Sequence, residues 1–340
     1  MNITSNVSHA ALFHPNTSHG HHLNTTVMST FPILAWSTAY GTIAVMAAFG
    51  NSMVIVAFVR NLKLHTRTNF FVIGLAAADF IVGVLAVPLF ICTFWYYTRS
   101  LDIPLILRRI YDAADIFSGF ASIFQLVLIS LERCYAILYP VSHRNSSKWV
   151  YILSVIFFWF FSGALSITQA IGITEKSMHL RRAFFSMIWM CYGVSFIVIC
   201  AAYVGIWKKA KTRGTYGFYR RKRRRQDREV MIAFTVLIVI VVFIITWLPF
   251  FTVNVLFYYD PKRGKGVPYE LVQFTKLLHY SNSAINPIIY SLKIPGFKKT
   301  FTSLLRRESR AMLKTRTLSL TRKDSNRNSM LRARPGRSSI

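Results

Sequence analysis

The segment Ile103–Tyr139, IPLILRRIYDAADIFSGFASIFQLVLISLERCYAILY, decides the fold of this chain. As an α-helix it directs Asp115 and Arg133 almost the same way, about 27 Å apart along the axis, with Ser122 near the line between them. Its other residues are mostly apolar, and its length matches a bilayer hydrocarbon core of about 30 Å. Ionisable groups there must face protein or water, because exposing them to lipid is costly. We therefore expect a membrane-spanning helix whose polar face lies inside a bundle.

The composition of the whole chain is also that of a membrane protein. Of the 340 residues, 53% are hydrophobic and only 16% are charged, whereas soluble proteins average about 25% charged residues. The net charge is +29, and the basic residues concentrate in Lys208–Arg228 and Lys293–Arg337, beside apolar runs. This distribution is typical of cytoplasmic loops near acidic membrane lipids. No nucleic-acid partner is expected, because that class carries its charge on a folded basic face with its own motifs.

Seven apolar runs are each long enough to cross a bilayer as a helix. We predict an all-α membrane protein with a seven-transmembrane helix bundle over 31–292. The runs are Phe31–Val59, Asn69–Tyr97, Ile103–Tyr139, Trp149–Ile171, Ala183–Trp207, Val230–Tyr258 and Pro268–Leu292.

Both ends of the chain lie outside this bundle. Residues 1–30 hold four glycosylation sequons and no compact apolar signal core, which predicts an extracellular, glycosylated, disordered tail. The sequons are at Asn2, Asn6, Asn16 and Asn24. An odd number of spans then places the C-terminus in the cytoplasm, in agreement with the positive-inside rule. We expect a multi-pass protein of the plasma membrane.

The residues after the seventh run predict a short amphipathic interfacial helix at 294–307. Phe297 and Phe301 share one helical face, opposite a pair of lysines, as in a helix lying on the inner membrane surface. Residues 308–340 are basic and rich in Ser and Thr, which predicts a disordered cytoplasmic tail. The cysteines all fall in or beside apolar runs without the spacing of a disulfide framework or a zinc site, so no disulfide is expected.

Short motifs occur in order along the seven runs, and through them the chain resembles a rhodopsin-like (class A) G-protein-coupled receptor over Phe31–Arg307. They are Gly50-Asn51, Leu75-Ala76-Ala77-Ala78-Asp79, Glu132-Arg133-Cys134, Trp159, Tyr203, Phe243 with Thr246-Trp247-Leu248-Pro249-Phe250, and Asn282-Ser283-Ala284-Ile285-Asn286-Pro287-Ile288-Ile289-Tyr290.

The resemblance implies a receptor, not an enzyme, that binds an extracellular ligand in the outer half of the bundle and activates a heterotrimeric G protein. Arrestin and receptor kinases are expected partners of the tail. A membrane transporter is the alternative from another class, but internal repeats and broken-helix pairs are not seen in the sequence. A membrane enzyme is disfavoured because no HExxH motif or nucleophile triad is present.

Asp79 is a lone carboxylate in mid-membrane and needs partners. The resemblance implies a sodium ion, an allosteric modulator of the inactive state, held by Asp79, Ser122, Asn282, Ser283 and Asn286. A hydrogen-bonded polar core without an ion is the alternative. No cofactor is required, and retinal is disfavoured because Tyr280 stands where opsins carry their Schiff-base lysine.

The resemblance also implies an activation switch at the inner side. Arg133 would turn toward the G protein on activation, and Glu229 would close the inactive state by pairing with it. Cys134 departs from the usual tyrosine, which puts the basal activity in doubt. The whole set is Glu132, Arg133, Tyr203, Glu229, Phe243, Trp247, Pro249, Pro287 and Tyr290.

The outer half of the bundle favours a biogenic amine ligand, because a carboxylate pairs with a protonated amine and aromatic walls attract a cation. The predicted ligand-binding residues are Asp115, Asp112, Met187, Cys191, Trp247, Phe250, Phe251, Asn254, Lys276 and Tyr280. Against an amine stand the missing serines and proline of the fifth run and the short outer loop before it. Melanocortin and lysolipid or cannabinoid receptors share that loop and the missing proline.

One alternative concerns Lys276, which lies one helical turn before Tyr280. An internal ion pair between Asp115 and Lys276 would leave a lipid, a peptide or no ligand at all. The outer loops also carry unusually many basic residues, which favours contact with lipid headgroups or with an acidic group on a ligand.

Overall fold

A computed structural model of the chain describes residues 30–171, 177–213, 220–260, 263, 266–293, 297, 300 and 302–303. Within these residues there are seven long helices and no strand, so the predicted all-α bundle is confirmed. The helices are α1 (Thr30–Arg60), α2 (Arg67–Thr98), α3 (Leu105–Leu138), α4 (Lys148–Ala170), α5 (Met178–Arg213), α6 (Arg220–Tyr259) and α7 (Tyr269–Lys293).

The helices follow the predicted runs and differ at their ends. Pro104 caps α3, which begins two residues later than predicted, at Leu105. Helices α5 and α6 continue beyond their apolar runs, to Arg213 and from Arg220. Their extensions are rich in Lys and Arg, which are good helix formers, so the helix outlasts the hydropathy signal.

Six helices among the described residues are long and apolar enough to span a membrane, and α7 is not one of them. The buried polar residues of α7, including Lys276, His279, Asn282 and Asn286, lower its hydropathy. Such residues are tolerated at membrane depth where they face protein. The helix with the weakest apolar signal is therefore one that buries several polar side chains inside the bundle.

Helix α3 is the centre of the bundle. It contacts α2, α4, α5 and α6, and every residue from Ser118 to Ser130 is buried. In its most apolar window 72% of the residues lie inside the protein, against 22% for α4. Polar groups on α3 are therefore surrounded by protein, and Asp115 also reaches side chains of α7.

Helix α2 contains a π-helical turn at Val82–Ala86, just before Pro88. Proline lacks an N–H group and cannot continue the α-helical hydrogen-bond ladder, which favours such an irregularity. In this turn Gly83 lies against the backbone of α1: a β-carbon there would be 2.6 Å from the Ala48 nitrogen and 2.8 Å from the Ala44 oxygen. The close approach of α1 and α2 therefore requires glycine.

Part of the predicted interfacial helix is visible. Phe297, Thr300 and residues 302–303 are described, and all are helical. Phe297 is fully buried in the main apolar core, and the Thr300 hydroxyl accepts a 2.8 Å hydrogen bond from the Asn61 side chain. The rest of 294–307, the sequons and the tail 308–340 lie outside the described residues.

We predict that Gly83→Ala destabilises the protein by about 1–3 kcal/mol, because the added methyl meets rigid backbone. Surface expression and the apparent Tm of the purified protein measure the effect. The control is Gly163→Ala in α4, where a β-carbon has no neighbour within 4 Å. Equal losses in the two variants would contradict the close-approach argument.

Candidate functional site

The outer polar site is a buried ion pair between α3 and α7. The Nζ atom of Lys276 donates a 2.8 Å hydrogen bond to Oδ2 of Asp115, and the Tyr280 hydroxyl donates to Oδ1 at 3.0 Å. The lysine side chain is 1% exposed and the carboxylate 20%. The α7 residues lie four positions apart, on one helical face. The structure therefore contains the internal pair that the sequence left open as an alternative.

Aromatic rings surround the Lys276 ammonium group. Its nitrogen lies 4.4 Å from the ring centroid of Phe250 and 4.6 Å from that of Tyr280. The Phe90 and Tyr111 rings follow at 5.7 and 5.8 Å. Ring faces within about 6 Å attract a cation. The arrangement is a cation site, and the protein's own lysine fills it.

His279 connects this cation site to the core of the bundle. Its ring centroid is 5.0 Å from that of Tyr280, 4.5 Å from Phe250 and 4.2 Å from Trp247. The Trp247 ring in turn stacks on Phe243 at 4.9 Å. The sequence reasoning missed His279, although its place directly before Tyr280 was the available signal. Tyr280 is therefore connected to the middle of α6 by a continuous chain of ring contacts.

The other predicted ligand residues lie around the ion pair. Asp112, one turn further out on α3, is close enough to act electrostatically on Lys276. Phe251 packs on the Trp189 ring at 4.4 Å, and the Asn254 amide donates to the Phe250 carbonyl at 2.8 Å. Met187 and Cys191 pack against the main core from α5. Of the predicted set, Lys276 and Tyr280 donate hydrogen bonds to Asp115, and the Phe250 ring lies against the lysine head.

A second polar cluster lies at mid-depth around Asp79, which is fully buried. Its carboxylate accepts hydrogen bonds from Ser122 at 3.2 Å, Ser283 at 2.8 Å and the Asn286 amide at 2.8 Å. These donors come from α3 and α7, so the cluster joins three helices. Asn282, predicted with them, is buried but forms no described bond to Asp79.

Unsatisfied oxygens accompany this cluster. Among the described residues, the side-chain oxygens of Asn282, Asn286, Asn51 and Tyr290 are buried without a hydrogen-bond partner. Buried oxygen atoms of this kind carry a desolvation penalty unless a donor, a water or a cation meets them. One carboxylate with several neutral oxygens is a donor set suited to a hard monovalent cation, so the residues fit sodium.

The inner site holds the Arg133 guanidinium at the foot of α3. Its Nε and Nη2 donate to the two Glu132 oxygens at 2.7 and 2.6 Å, and Nη2 also donates to the Thr68 hydroxyl. The His143 ring, in the short helix Pro140–Asn145 after α3, meets the same glutamate at 2.8 Å. Sequence reasoning missed Thr68 and His143, since neither belongs to a recognisable motif.

The remaining predicted switch residues are spread through the lower bundle. Tyr203 of α5 is close enough to Arg133 to interact with it electrostatically. Pro249 and Pro287 lie inside α6 and α7, where each removes a backbone hydrogen bond. Tyr290 is buried. Glu229 belongs to α6, but its side chain lies outside the described structure.

Comparison with known proteins points to one family. The family model described as "7 transmembrane receptor (rhodopsin family)" matches residues 50–290. Trace amine-associated receptor 13c of Danio rerio is 27% identical over 76% of this chain and 82% of its own length. Adenosine receptor A3 of Ovis aries is 29% identical over 80% and 92%. Somatostatin receptor type 1 of Rattus norvegicus is 26% identical over 79% and 71%.

We predict that Asp115→Asn lowers stability by about 3–5 kcal/mol, because it leaves a buried ammonium group without its carboxylate. The double variant Asp115→Asn/Lys276→Met should recover most of the loss, since both groups are then neutral. The apparent Tm of the purified protein is the measurement.

The control for this experiment is the exposed ion pair Asp260–Arg263. The Nε atom of Arg263 lies 3.4 Å from Oδ2 of Asp260, and the arginine side chain is 82% exposed. Its variant Asp260→Asn should change stability by less than about 1 kcal/mol. A double variant as unstable as Asp115→Asn alone would contradict the charge argument.

Proposed function

Because the chain belongs to the rhodopsin family of seven-transmembrane receptors, we propose that it is a plasma-membrane receptor for an extracellular ligand with an ammonium group. In this proposal the N-terminus is extracellular and glycosylated, and the basic tail is cytoplasmic. Ligand binding drives nucleotide exchange on a heterotrimeric G protein, and the chain performs no enzymatic reaction itself. Arrestin and receptor kinases act on residues 308–340.

The observation that carries the proposal is the cation site at Asp115. The carboxylate, the Tyr280 hydroxyl and the surrounding rings recognise an ammonium group already, namely that of Lys276. A ligand ammonium group of the same chemistry competes with the lysine for the same carboxylate. The similar receptors are named for trace amines, adenosine and somatostatin. Family membership alone therefore does not determine the ligand class, and the proposal depends on the residues of this site.

The proposed signal travels inward through packed rings. When a ligand replaces Lys276, the hydrogen bond from Tyr280 to Asp115 must adjust. His279 packs on that tyrosine, and Trp247 packs on His279. Below Trp247, the proline-interrupted helix α6 supplies an element that can adopt two positions. Movement of α6 opens the cytoplasmic side, where Arg133 contacts the G protein.

A sodium ion at the Asp79 cluster would hold the inactive arrangement. The proposed ligands are Asp79 and Ser122 with the side-chain oxygens of Asn282, Ser283 and Asn286. Because these residues come from α2, α3 and α7, a bound ion would oppose the relative motion of the three helices. It would therefore be a negative modulator of activation.

A second candidate function follows from the intact ion pair. If Lys276 stays on Asp115, the ligand is a neutral lipid or a peptide that contacts only the outer rim, or the receptor signals without a ligand. The observation in its favour is that the lysine is almost completely buried and already satisfies the carboxylate. The following experiment separates the two candidates.

We predict that Lys276→Gln responds to amines and that Asp115→Asn/Lys276→Gln does not, losing at least about 100-fold in potency. Neither variant holds a buried lysine, so they differ only in the carboxylate. A panel of amines, with and without acidic groups, is applied to cells carrying G-protein dissociation sensors. An amine response that survives in the double variant at equal surface expression would refute the amine proposal.

For the ion, we predict that sodium chloride raises the apparent Tm of the purified receptor above its value in choline chloride of equal concentration. Asp79→Asn should abolish this difference, because the only carboxylate of the proposed ion site is lost. The control is Asp102→Asn, which removes an exposed acid outside the cluster. A sodium effect of equal size in Asp79→Asn would place the ion elsewhere.

A further inference from the structure

A ligand that binds Asp115 displaces a charge that belongs to the protein. Lys276 is held by one direct ion pair, at 2.8 Å, and is 1% exposed. An ammonium group of the ligand can take its carboxylate, but the lysine then remains buried with aromatic rings as its close neighbours. Leaving one member of a buried ion pair unpaired is strongly unfavourable. The displaced lysine therefore needs a new anion.

We propose that the charged ligands of this receptor are zwitterions with an ammonium group and an anionic group close together, as in amino acids. The inference rests on the proposed function of the Asp115 site and narrows its ligand class. The ligand ammonium pairs with Asp115 and the ligand anion pairs with Lys276. Both buried charges of the protein then stay matched.

Other ligand classes fail on the same charge balance. A simple amine leaves Lys276 unpaired, and a simple carboxylate leaves Asp115 unpaired. A neutral ligand matches neither member of the pair as well as they match each other. Only a ligand with both charges inserts into the pair without a net loss of ionic contacts.

The geometry limits how far apart the two ligand charges can be. In the closed pair the charged atoms of Asp115 and Lys276 are in direct contact at 2.8 Å. Insertion of an ammonium and a carboxylate produces a ring of four alternating charges, so the ligand groups must be separated by few bonds. The aromatic rings of Phe250 and Tyr280 keep contact with a displaced lysine head, at present 4.4 and 4.6 Å away.

The outer surface is suited to a ligand with an anionic group. Arg99, beyond the end of α2, and Arg182, in the first turns of α5, are both exposed. Basic residues on the side of the bundle from which a ligand arrives attract anions and raise their association rate.

Asp112 is a second carboxylate that could pair with the displaced Lys276. It lies one turn from Asp115 on α3 and acts electrostatically on Lys276. If it accepted the displaced lysine, a simple amine would suffice as ligand. Its variant is therefore part of the test.

The experiment compares matched sets of probes: tyrosine, tryptophan, histidine and leucine, each with its decarboxylated amine, its methyl ester and its N-acetyl derivative. Potency at G-protein sensors and the apparent Tm of the purified receptor are both measured. At the wild-type receptor we expect the best amino acid to exceed its three derivatives by at least about 100-fold. In Lys276→Gln the preference should reverse, because a lone carboxylate now favours the simple amine.

Two results would overturn the inference. In the first, an amine is at least as potent as its amino acid at the wild-type receptor; the zwitterion requirement is then wrong while the amine proposal stands. Loss of that amine response in Asp112→Asn would identify Asp112 as the new partner of the displaced lysine. In the second, none of the probes acts on the wild type or on Lys276→Gln, which overturns the proposed function as well.

Discussion

A charge inside a bilayer must be matched within the protein, and the structure depends on this constraint at three depths. Asp115 meets Lys276 near one end of the bundle, and Asp79 meets three neutral donors in the middle. Glu132 meets Arg133 and His143 near the other end. Each of these groups of contacts joins α3 to another helix: to α7, to α2, or to the short helix Pro140–Asn145. The polar face of α3 therefore fixes which helices surround it.

The three matches differ in how easily they change partners. The outer and inner pairs join opposite charges, so any competing ion or charged partner can replace one member. The middle carboxylate is surrounded by neutral groups, and among the described residues several side-chain oxygens there have no hydrogen-bond partner within the protein. Between the levels of Asp115 and Asp79, the rings of His279 and Trp247 are in contact. In the proposed function, signalling is a change of partners at one depth that alters the packing at the next.

The sequence predicted the helices well because a long apolar run marks a membrane-spanning helix, whether its side chains face lipid or protein. It could not predict the basic extensions of α5 and α6, whose residues carry no apolar signal. For the site, helical periodicity placed Lys276 and Tyr280 on one face. It could not decide whether the lysine reaches Asp115, because that depends on the distance between two helices. His143 was missed because it follows α3 in a connecting segment, where no periodic pattern exists.

The inner carboxylate has a further consequence. Glu132 binds both the guanidinium of Arg133 and the imidazole of His143, and the latter lies in the short helix Pro140–Asn145. One side chain thus anchors two separate elements at this end of the bundle. Whatever loosens that anchor releases the buried Arg133 and the short helix together, so the two behave as one composite epitope.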